Sequence, residues 1–328
     1  MRIGITGEKG FIATNLATQI EKNNHTFVSI DNYTQNNSMY HKQETGETCV
    51  YLNDENDWYN LFTELKLDVI VHNAAVVGTD VVALNPNHAI MTNVLGTKNI
   101  TTAANKAGIL NVYIGTTVIY DTEKYQEEEI TEESLINPKT DYAIQKYAAE
   151  MIVRNNSKEW LVMRPLFAYG GEGDMNSLIS KSLYAIKNNI EEVDIFLNPS
   201  KIKDYMHVND FCMSIIKAID SEVRNEHFNV SAQNPYMTHE IISMIEEVTG
   251  HSLNKTIKWH EETDYLGNHR LTNKKYLDII GYDFVSDLKE GIYNSWNSIK
   301  NANDTFNPLK HLQEAKEKNI DLTSHFPK

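Results

Sequence analysis

A pair of glycines between a short apolar segment and an amphipathic one constrains the fold of this chain more than any other feature. Residues 2–6 are mostly apolar and short enough for one strand, and Gly7 and Gly10 follow directly. Apolar residues then recur at helical spacing over residues 11–20. Glycine adopts backbone angles that other residues avoid, so the chain can turn tightly between the two segments. These residues predict a strand, a glycine turn and a helix.

Strand-like and helix-like segments alternate through the first half of the chain. Apolar runs suited to strands occur at 26–30, 49–52, 69–72, 111–114 and 160–163. Such alternation is typical of a parallel sheet with helices on both faces. We therefore predict an α/β fold with a doubly wound parallel sheet, of the Rossmann type, over residues 1–165.

The pattern changes after residue 165. A glycine-rich segment is followed by helix-like stretches at 177–187, 238–249 and 273–280. We predict a smaller substrate-binding region built from 166–204 and 236–300. The strand-like run 227–230 predicts that 205–235 returns to the main sheet, so that the two regions interleave. The polar residues 301–328 are predicted as a tail, either an appended helix or a loose end.

The glycine turn is suited to binding a dinucleotide. Its spacing, Gly7, Gly10 and Ala13, is GxxGxxA and differs from the common GxGxxG. A tight turn before a helix lets the backbone approach a pyrophosphate, whose charge is favoured at the helix N-terminus. Asp31 ends the strand-like run 26–30, where an acid can accept hydrogen bonds from ribose hydroxyls. No arginine adjoins Asp31 to receive a 2′-phosphate, so we predict NAD as the cofactor.

Thr116, Tyr142 and Lys146 form a candidate catalytic set. Tyr142 and Lys146 are four residues apart in a helix-like stretch, which places them on one face. Taken alone, this pair also fits an ordinary helix surface. Thr116, a hydroxyl at the end of the strand-like run 111–114, favours catalysis instead. We expect the lysine and a nearby nicotinamide cation to lower the tyrosine pKa, so that its phenolate can act as a base.

Composition excludes several other classes of protein. The chain has 328 residues and a net charge of −15, which disfavours nucleic acid as a partner. Its start lacks an apolar signal region and no apolar run is long enough to span a bilayer, so we predict a cytoplasmic protein without membrane contact. The twelve histidines show no ligand-like spacing, so no metal site is predicted. The two cysteines, Cys49 and Cys212, are expected to be separate buried thiols, and the acidic run 121–133 a solvated loop.

An ordered series of motifs resembles the extended short-chain dehydrogenase/reductase family, especially its nucleotide-sugar epimerases and dehydratases. The motifs span roughly residues 1–300: TGEKGFI from Thr6, DN at 31–32, HNAA at 72–75, NVLGT at 93–97, TTVIY at 116–120, the Tyr142 and Lys146 pair, RP at 164–165 and KDYMHVND at 203–210. The resemblance implies that Thr116, Tyr142 and Lys146 are the catalytic residues. The residues that it implies for the cofactor are Gly7, Gly10, Phe11, Ile12, Asp31, Asn32, Asn53, Asp54, Ala74, Ala75, Asn93, Tyr142, Lys146 and Leu166.

The residue after Thr116 suggests the reaction. Dehydratases and decarboxylases of the family carry an acid there, whereas this chain has Thr117, and the epimerase/reductases carry a cysteine where Val118 stands. A nucleotide-sugar 4-epimerase, which removes a hydride at C4 and returns it to the other face, is therefore the simplest interpretation. A 4-keto-sugar reductase is the alternative. A 4,6-dehydratase or a non-catalytic NAD-binding module is less favoured.

The substrate-binding residues implied by the resemblance are Thr117, Asn176, Lys203 and Arg270. Two positions that usually contact phosphate differ, because Phe167 and Tyr265 stand where the family has asparagine and arginine. The family also implies a homodimer that pairs helices 87–107 and 139–155 of each subunit. The predicted partners are thus a nucleotide sugar and a second copy of the chain.

Overall fold

The computed structural model describes residues 1–31, 55–171, 173–174, 177–233, 235–284, 286–301, 307–318 and 320–321. Four predicted site residues, Asn32, Asn53, Asp54 and Asn176, lie outside these ranges, as do Cys49 and the strand predicted at 49–52.

The strands of the described residues are β1 (Arg2–Thr6), β2 (Thr26–Ile30), β3 (Val69–His72), β4 (Leu110–Ile114), β5 (Trp160–Pro165), β6 (Ala168–Tyr169), β7 (Val193–Ile195), β8 (Ile202–Asp204), β9 (Met206–His207), β10 (Glu226–Val230), β11 (Pro235–Met237) and β12 (Ile257–Trp259).

The helices are α1 (Phe11–Lys22), α2 (Glu55–Leu65), α3 (Thr79–Leu84), α4 (Pro86–Ile90), α5 (Thr97–Ala107), α6 (Asp141–Asn156), α7 (Leu178–Lys187), α8 (Val208–Asp220), α9 (Thr238–Thr249), α10 (Lys274–Ile280), α11 (Leu288–Asn301) and α12 (Lys310–Glu317). A π-helical turn, Met91–Gly96, joins α4 to α5, and a short 3₁₀ turn covers Glu261–Thr263.

Six parallel strands form the central sheet, in the order β2-β1-β3-β4-β5-β10. Helices α1 and α8 pack together on the sheet, and α2, α5 and α6 form a second packed group. Residues such as Ile3 and Val71 are fully buried because helices cover the apolar strands on both faces. The structure confirms the predicted doubly wound α/β fold.

The rest of the described chain forms a smaller layer beside this sheet. Its short strands pair as β6 with β9, β7 with β12, and β8 antiparallel with β11. Helices α7, α9 and α11 pack around a second apolar core. Helix α12 joins that core through buried Leu309, Leu312 and Ala315, in the segment for which a tail was predicted. Between these elements, α8 and β10 return to the central sheet.

The strand order reverses beside β1, because β2 and β3 lie on its two sides. At such a point the loops after neighbouring strands diverge and leave a crevice at their carboxyl ends. Gly7, Asp31 and Asn73 follow β1, β2 and β3 at this edge. The acidic run 121–133 is only partly the solvated loop that was expected, because Glu132 is buried and its Oε1 accepts a hydrogen bond from the Asn229 N–H at 2.7 Å.

Candidate active site

A cavity of about 960 Å³ opens at the carboxyl edge of the sheet and extends from the glycine turn to helix α6. Many predicted site residues line it: Gly7, Gly10, Phe11, Ile12, Asp31, Ala74, Ala75, Thr116, Tyr142, Lys146 and Leu166. The structure thus brings residues from five separate sequence motifs to one crevice.

The glycine turn is shaped for a close approach of the backbone. Gly7 has a φ of +71°, and a Cβ added there would lie 2.8 Å from the Cα of Ala74. Gly10 donates its N–H to the Gly7 carbonyl at 2.9 Å and begins α1 without a side-chain cap. The first turn of α1 therefore offers uncapped N–H groups and a positive dipole end to an anion in the cavity. These features fit the pyrophosphate of a dinucleotide.

Asp31 stands at the end of β2, beside the glycine turn. Its Oδ2 accepts a hydrogen bond from the Lys9 N–H at 2.8 Å, and the residue is only 8% exposed. This contact orients the carboxylate along the cavity wall. An acid fixed there fits the adenosine ribose of NAD, whose hydroxyls are hydrogen-bond donors.

His72 holds the opposite wall of the crevice in place. Its Nδ1 lies 2.8 Å from Thr6 Oγ1, and its Nε2 lies 2.9 Å from Thr97 Oγ1. Burial, and next the charge of Lys146, lower the His72 pKa to about 3, so the ring is neutral. Thr6 Oγ1 also accepts the N–H groups of Asn73 and Ala74, both at 3.2 Å. This network fixes the segment 73–75 that faces the glycine turn.

Asn93 supports the cavity wall from behind. It lies in the π-helical turn, is 1% exposed and clamps the backbone of Val76 through two hydrogen bonds of 2.8 and 3.0 Å. Its Nδ2 also donates to Gln145 Oε1 at 2.9 Å. Val76 lines the cavity, so Asn93 positions that wall through the backbone.

The predicted catalytic residues come together where β4 meets α6. Thr140 caps α6 by accepting the Ala143 N–H at 3.2 Å, which starts the helix just before Tyr142. The Thr116 hydroxyl lies close enough to the Tyr142 hydroxyl to lower its pKa. Lys146, one turn further on, donates from Nζ to the Ile114 carbonyl at 2.7 Å. A phenol, a hydroxyl and an amine therefore share one wall of the cavity.

The protein groups alone do not lower the Tyr142 pKa. Burial raises it, and the neighbouring Tyr265 raises it further, against a lowering by Thr116. Burial also lowers the Lys146 pKa to about 7, with Glu150 acting in the opposite direction. Desolvation therefore outweighs the nearby protein charges at both residues, and the lowering of the Tyr142 pKa by a nicotinamide cation stays a prediction.

The predicted substrate-binding residues Thr117, Lys203 and Arg270 line neither cavity. Thr117 is fully buried, and its hydroxyl donates to the Pro165 carbonyl at 3.3 Å. Lys203 is also fully buried, and its ammonium contacts Asp264 at 2.9 Å and the Gly267 carbonyl at 2.6 Å. The Arg270 carbonyl accepts the Ile130 N–H at 2.7 Å, on a stretch of chain outside both cavity walls. The side chains of Thr117 and Lys203 therefore support the surrounding loops, and Arg270 does so through its backbone.

A second cavity of about 160 Å³, which no sequence motif predicts, adjoins the first. Tyr265 lines both cavities and hydrogen-bonds to Thr79 and Thr140. It therefore belongs to the site, beside Tyr142. Helix α12 also reaches the site, because Lys310 and Glu314 line the larger cavity. The polar composition of 301–328 carried no signal for this contact.

Membrane-spanning helices and metal-binding clusters are both absent from the described ranges. No helix there has the length and apolar character needed to cross a bilayer. Among those same residues, histidine, cysteine and acidic side chains form no cluster that could hold a metal ion. Cys212 is a buried free thiol.

The model of the NAD dependent epimerase/dehydratase family matches residues 3–231. The chain belongs to this family. Membership confirms the resemblance found in the sequence, and it confirms an enzyme with NAD as the cofactor. The matched residues include the glycine turn, Asp31, the three catalytic candidates and the returning strand β10.

Curated relatives differ in their reactions. A putative UDP-glucose 4-epimerase of Methanocaldococcus jannaschii is 25% identical, over 92% of this chain and 99% of that protein. A UDP-N-acetyl-alpha-D-glucosaminuronate decarboxylase of Bacillus cytotoxicus is also 25% identical, over 83% of this chain and 87% of that protein.

Among solved structures, UDP-glucose 4-epimerase of Thermus thermophilus in complex with NAD superposes with a TM-score of 0.80 at 20% identity, over 92% of this chain and 100% of that one. The likeness confirms the fold.

Proposed function

We propose that this member of the family is a nucleotide-sugar 4-epimerase. The observation that carries the proposal is the placement of Thr116, Tyr142 and Lys146 on the wall of a cavity suited to NAD, with Lys146 one helical turn from Tyr142. Such a set can move one proton at a sugar hydroxyl and return it. Epimerisation requires no other net proton transfer, because substrate and product are isomers.

The residues have separate roles in this reaction. Bound NAD supplies the hydride acceptor, and in its reduced form the donor, for the sugar carbon. The Tyr142 oxygen takes the proton of the hydroxyl on that carbon and later gives it back. Thr116 donates a hydrogen bond that orients the same substrate oxygen. Lys146, which is 4% exposed, holds its amine against the strand end at Ile114, on the same cavity wall as Tyr142, and would supply positive charge there when protonated.

The surroundings of Thr117 support epimerisation over elimination. Elimination or carboxylate loss in this family uses an acid at that position, next to the catalytic hydroxyl. Here the position holds a threonine whose hydroxyl is bound to the Pro165 carbonyl, and the residue is fully buried. No ionisable group is therefore offered to the substrate from this position. A 4-keto-sugar reductase would use the same three residues and remains the second candidate, since one relative is a GDP-6-deoxy-D-talose 4-dehydrogenase, 25% identical over 87% of this chain.

Proton NMR of the anomeric signals tests the proposal directly. Purified protein is incubated with a panel of UDP-, GDP- and dTDP-sugars and catalytic amounts of NAD. We expect one pair of 4-epimers to interconvert with no net change in absorbance at 340 nm. Stoichiometric consumption of NADH with a 4-keto sugar would establish the reductase instead. Loss of a water molecule from the sugar would establish a dehydratase.

Tyr142→Phe tests the assigned base. We expect turnover to fall by about 10²- to 10⁴-fold, the usual contribution of general acid–base catalysis. NAD affinity should change little, because the ring is retained. Tyr147→Phe is the matched control, since Tyr147 lies in the same helix but does not line either cavity. Equal turnover in the two variants would contradict the role of Tyr142.

We further propose a homodimer formed through α5 and α6 with the segment before α5. Ile90, Met91 and Ile144 lie on these elements and are 50, 44 and 50% exposed, which is unusual for large apolar side chains. Light scattering at micromolar concentration should give twice the mass of the chain, and Ile144→Glu should reduce it to that of a monomer. The cytoplasmic location stays a prediction.

A further inference from the structure

The smaller cavity is lined by a buried lysine, Lys181, in the middle of α7. Lys181 is only 9% exposed, and the residues before and after it in the helix are also buried. Aromatic side chains of Phe167, Phe196 and Tyr205 form much of the remaining wall. Lys181 is the single basic side chain among the described residues that line this cavity.

Within the part of the chain that the structure describes, the Lys181 ammonium makes no hydrogen bond or ion pair. Three carboxylates line the same cavity. Asp80 accepts the Val81 N–H at 3.0 Å, and the other two are each paired with another cation. Asp194 contacts Lys316 at 2.8 Å, and Asp264 contacts Lys203 at 2.9 Å. The positive charge of Lys181 is therefore left without a partner from these side chains.

An ammonium group loses much of its hydration when it is buried, and a protein usually compensates the loss with an opposite charge. No carboxylate of the described chain contacts the Lys181 ammonium, although three line the same cavity. The attraction between the ammonium and an entering anion is strong there, because apolar walls lower the local dielectric. The cavity is thus suited to the anionic part of a ligand.

The two cavities adjoin. Thr79, Phe167, Ser177 and Tyr265 line both of them, so the wall that holds Tyr142 leads on to the wall that holds Lys181. Ser177 caps α7 by accepting the Ser180 N–H at 3.0 Å, which places the positive end of the helix dipole at the junction. The cations predicted from the sequence, Lys203 and Arg270, line neither cavity, and Lys203 is paired with Asp264.

We propose that the ammonium group of Lys181 binds a phosphate oxygen of the nucleoside diphosphate that carries the sugar. This assignment rests on the proposed function for the orientation of the substrate, with its sugar at Tyr142 and its diphosphate at the junction of the cavities. Lys181 would thus replace the phosphate contacts that the family makes at the positions of Phe167 and Tyr265, and it belongs to none of the family motifs. The aromatic wall beyond Lys181 then faces the nucleoside.

Isothermal titration calorimetry of the NAD-saturated protein tests whether Lys181 binds the diphosphate. The probes are UDP, GDP and dTDP, each compared with uridine, guanosine or thymidine. We expect Lys181→Met to weaken binding of the preferred diphosphate by about tenfold to a hundredfold, the worth of one hydrogen bond to a charged group. Its affinity for the matching nucleoside should not change. Lys181→Arg should retain binding within a few-fold, and Lys187→Met, in the last turn of the same helix, should bind like the wild type.

Thermal unfolding separates a ligand-binding role from a structural one. Removing an unpaired buried charge should leave the melting temperature of Lys181→Met equal to or above that of the wild type. The proposal is overturned if the wild type binds none of the diphosphates, if Lys181→Met binds them unchanged, or if the variant melts earlier and loses nucleoside and diphosphate affinity equally.

Turnover distinguishes this proposal from the proposed function. If Lys181 governs diphosphate binding but no nucleotide sugar is isomerised, the epimerase assignment fails and the lysine assignment stands. If epimerisation proceeds in Lys181→Met with an unchanged KM, the lysine assignment fails and the epimerase assignment stands.

Discussion

Replacing Gly7 by alanine tests whether the glycine turn is built for close backbone approach. Gly7 has a φ of +71°, in the left-handed region that side chains disfavour. An added Cβ would lie 2.8 Å from the Cα and 3.0 Å from the N of Ala74. Both atoms belong to the backbone, so the segment after β3 must move to make room. That segment is fixed by the Thr6 and His72 hydrogen bonds.

The expected cost has two parts. An alanine in the left-handed region costs about 1–2 kcal/mol. Forcing a methyl group into a packed site adds about 1–3 kcal/mol. Gly7→Ala should therefore lower the free energy of unfolding by about 2–5 kcal/mol. If the same displacement also disturbs the contact with the pyrophosphate, the ~1–3 kcal/mol of the second part corresponds to a loss of NAD affinity of roughly 5- to 140-fold.

Gly108→Ala is a matched control for this experiment. Gly108 ends α5 with a φ of +69°, and a Cβ added there would meet nothing within 4 Å. It should show only the first part of the cost and bind NAD normally. Urea unfolding gives both stabilities, and titration calorimetry gives the NAD affinities. Equal destabilisation of the two variants, with unchanged NAD binding in Gly7→Ala, would refute the reasoning.

Two further perturbations concern buried lysines. Burial lowers the Lys146 pKa from 10.5 to about 7. Between these pH values the unfolded chain therefore binds more protons than the folded chain. The free energy of unfolding then rises with pH across that window. Lys146→Met should therefore stabilise the protein at pH 7 by up to about 5 kcal/mol, and this gain should shrink towards pH 10 in urea unfolding; a pH-independent difference would contradict it. Asp264→Asn leaves the fully buried Lys203 without its carboxylate and should cost about 3–5 kcal/mol, most of it recovered on adding Lys203→Met; a loss below about 1 kcal/mol would argue against the pair.

The central sheet was predictable because each of its strands is a separate apolar run. The sequence segments 2–6, 26–30 and 69–72 became β1, β2 and β3 with unchanged ends. Buried parallel strands need apolar residues on both faces, so little else fits these runs. The spacing of Tyr142 and Lys146 was equally informative, because a helix alone places them on one face.

Other features depend on contacts between distant parts of the chain, which no local pattern encodes. Lys203 had the charge expected of a phosphate ligand, but Asp264, 61 residues away, pairs with it. Tyr265 was recognised only as a departure from the family motif, and the structure places it beside Tyr142. Asn93 was expected at the cofactor and supports Val76 instead. In each case the tertiary fold brings a residue that is distant in sequence into contact, and this contact determines the role of the side chain.

The pKa of Tyr142 also depends on groups that are distant in sequence, and we expect it to depend on the oxidation state of the cofactor. Burial and Tyr265 raise this pKa, and the Lys146 amine is only partly charged near pH 7 because its own pKa is about 7. A positive charge brought into the cavity must therefore favour the phenolate, and oxidised NAD carries one on its nicotinamide whereas NADH does not. Titration of phenolate absorbance, with Tyr142→Phe subtracted, should give a lower Tyr142 pKa with NAD than with NADH. Equal pKa values in the two forms would show that the phenol is not close to the nicotinamide, and the catalytic assignment would fail with them.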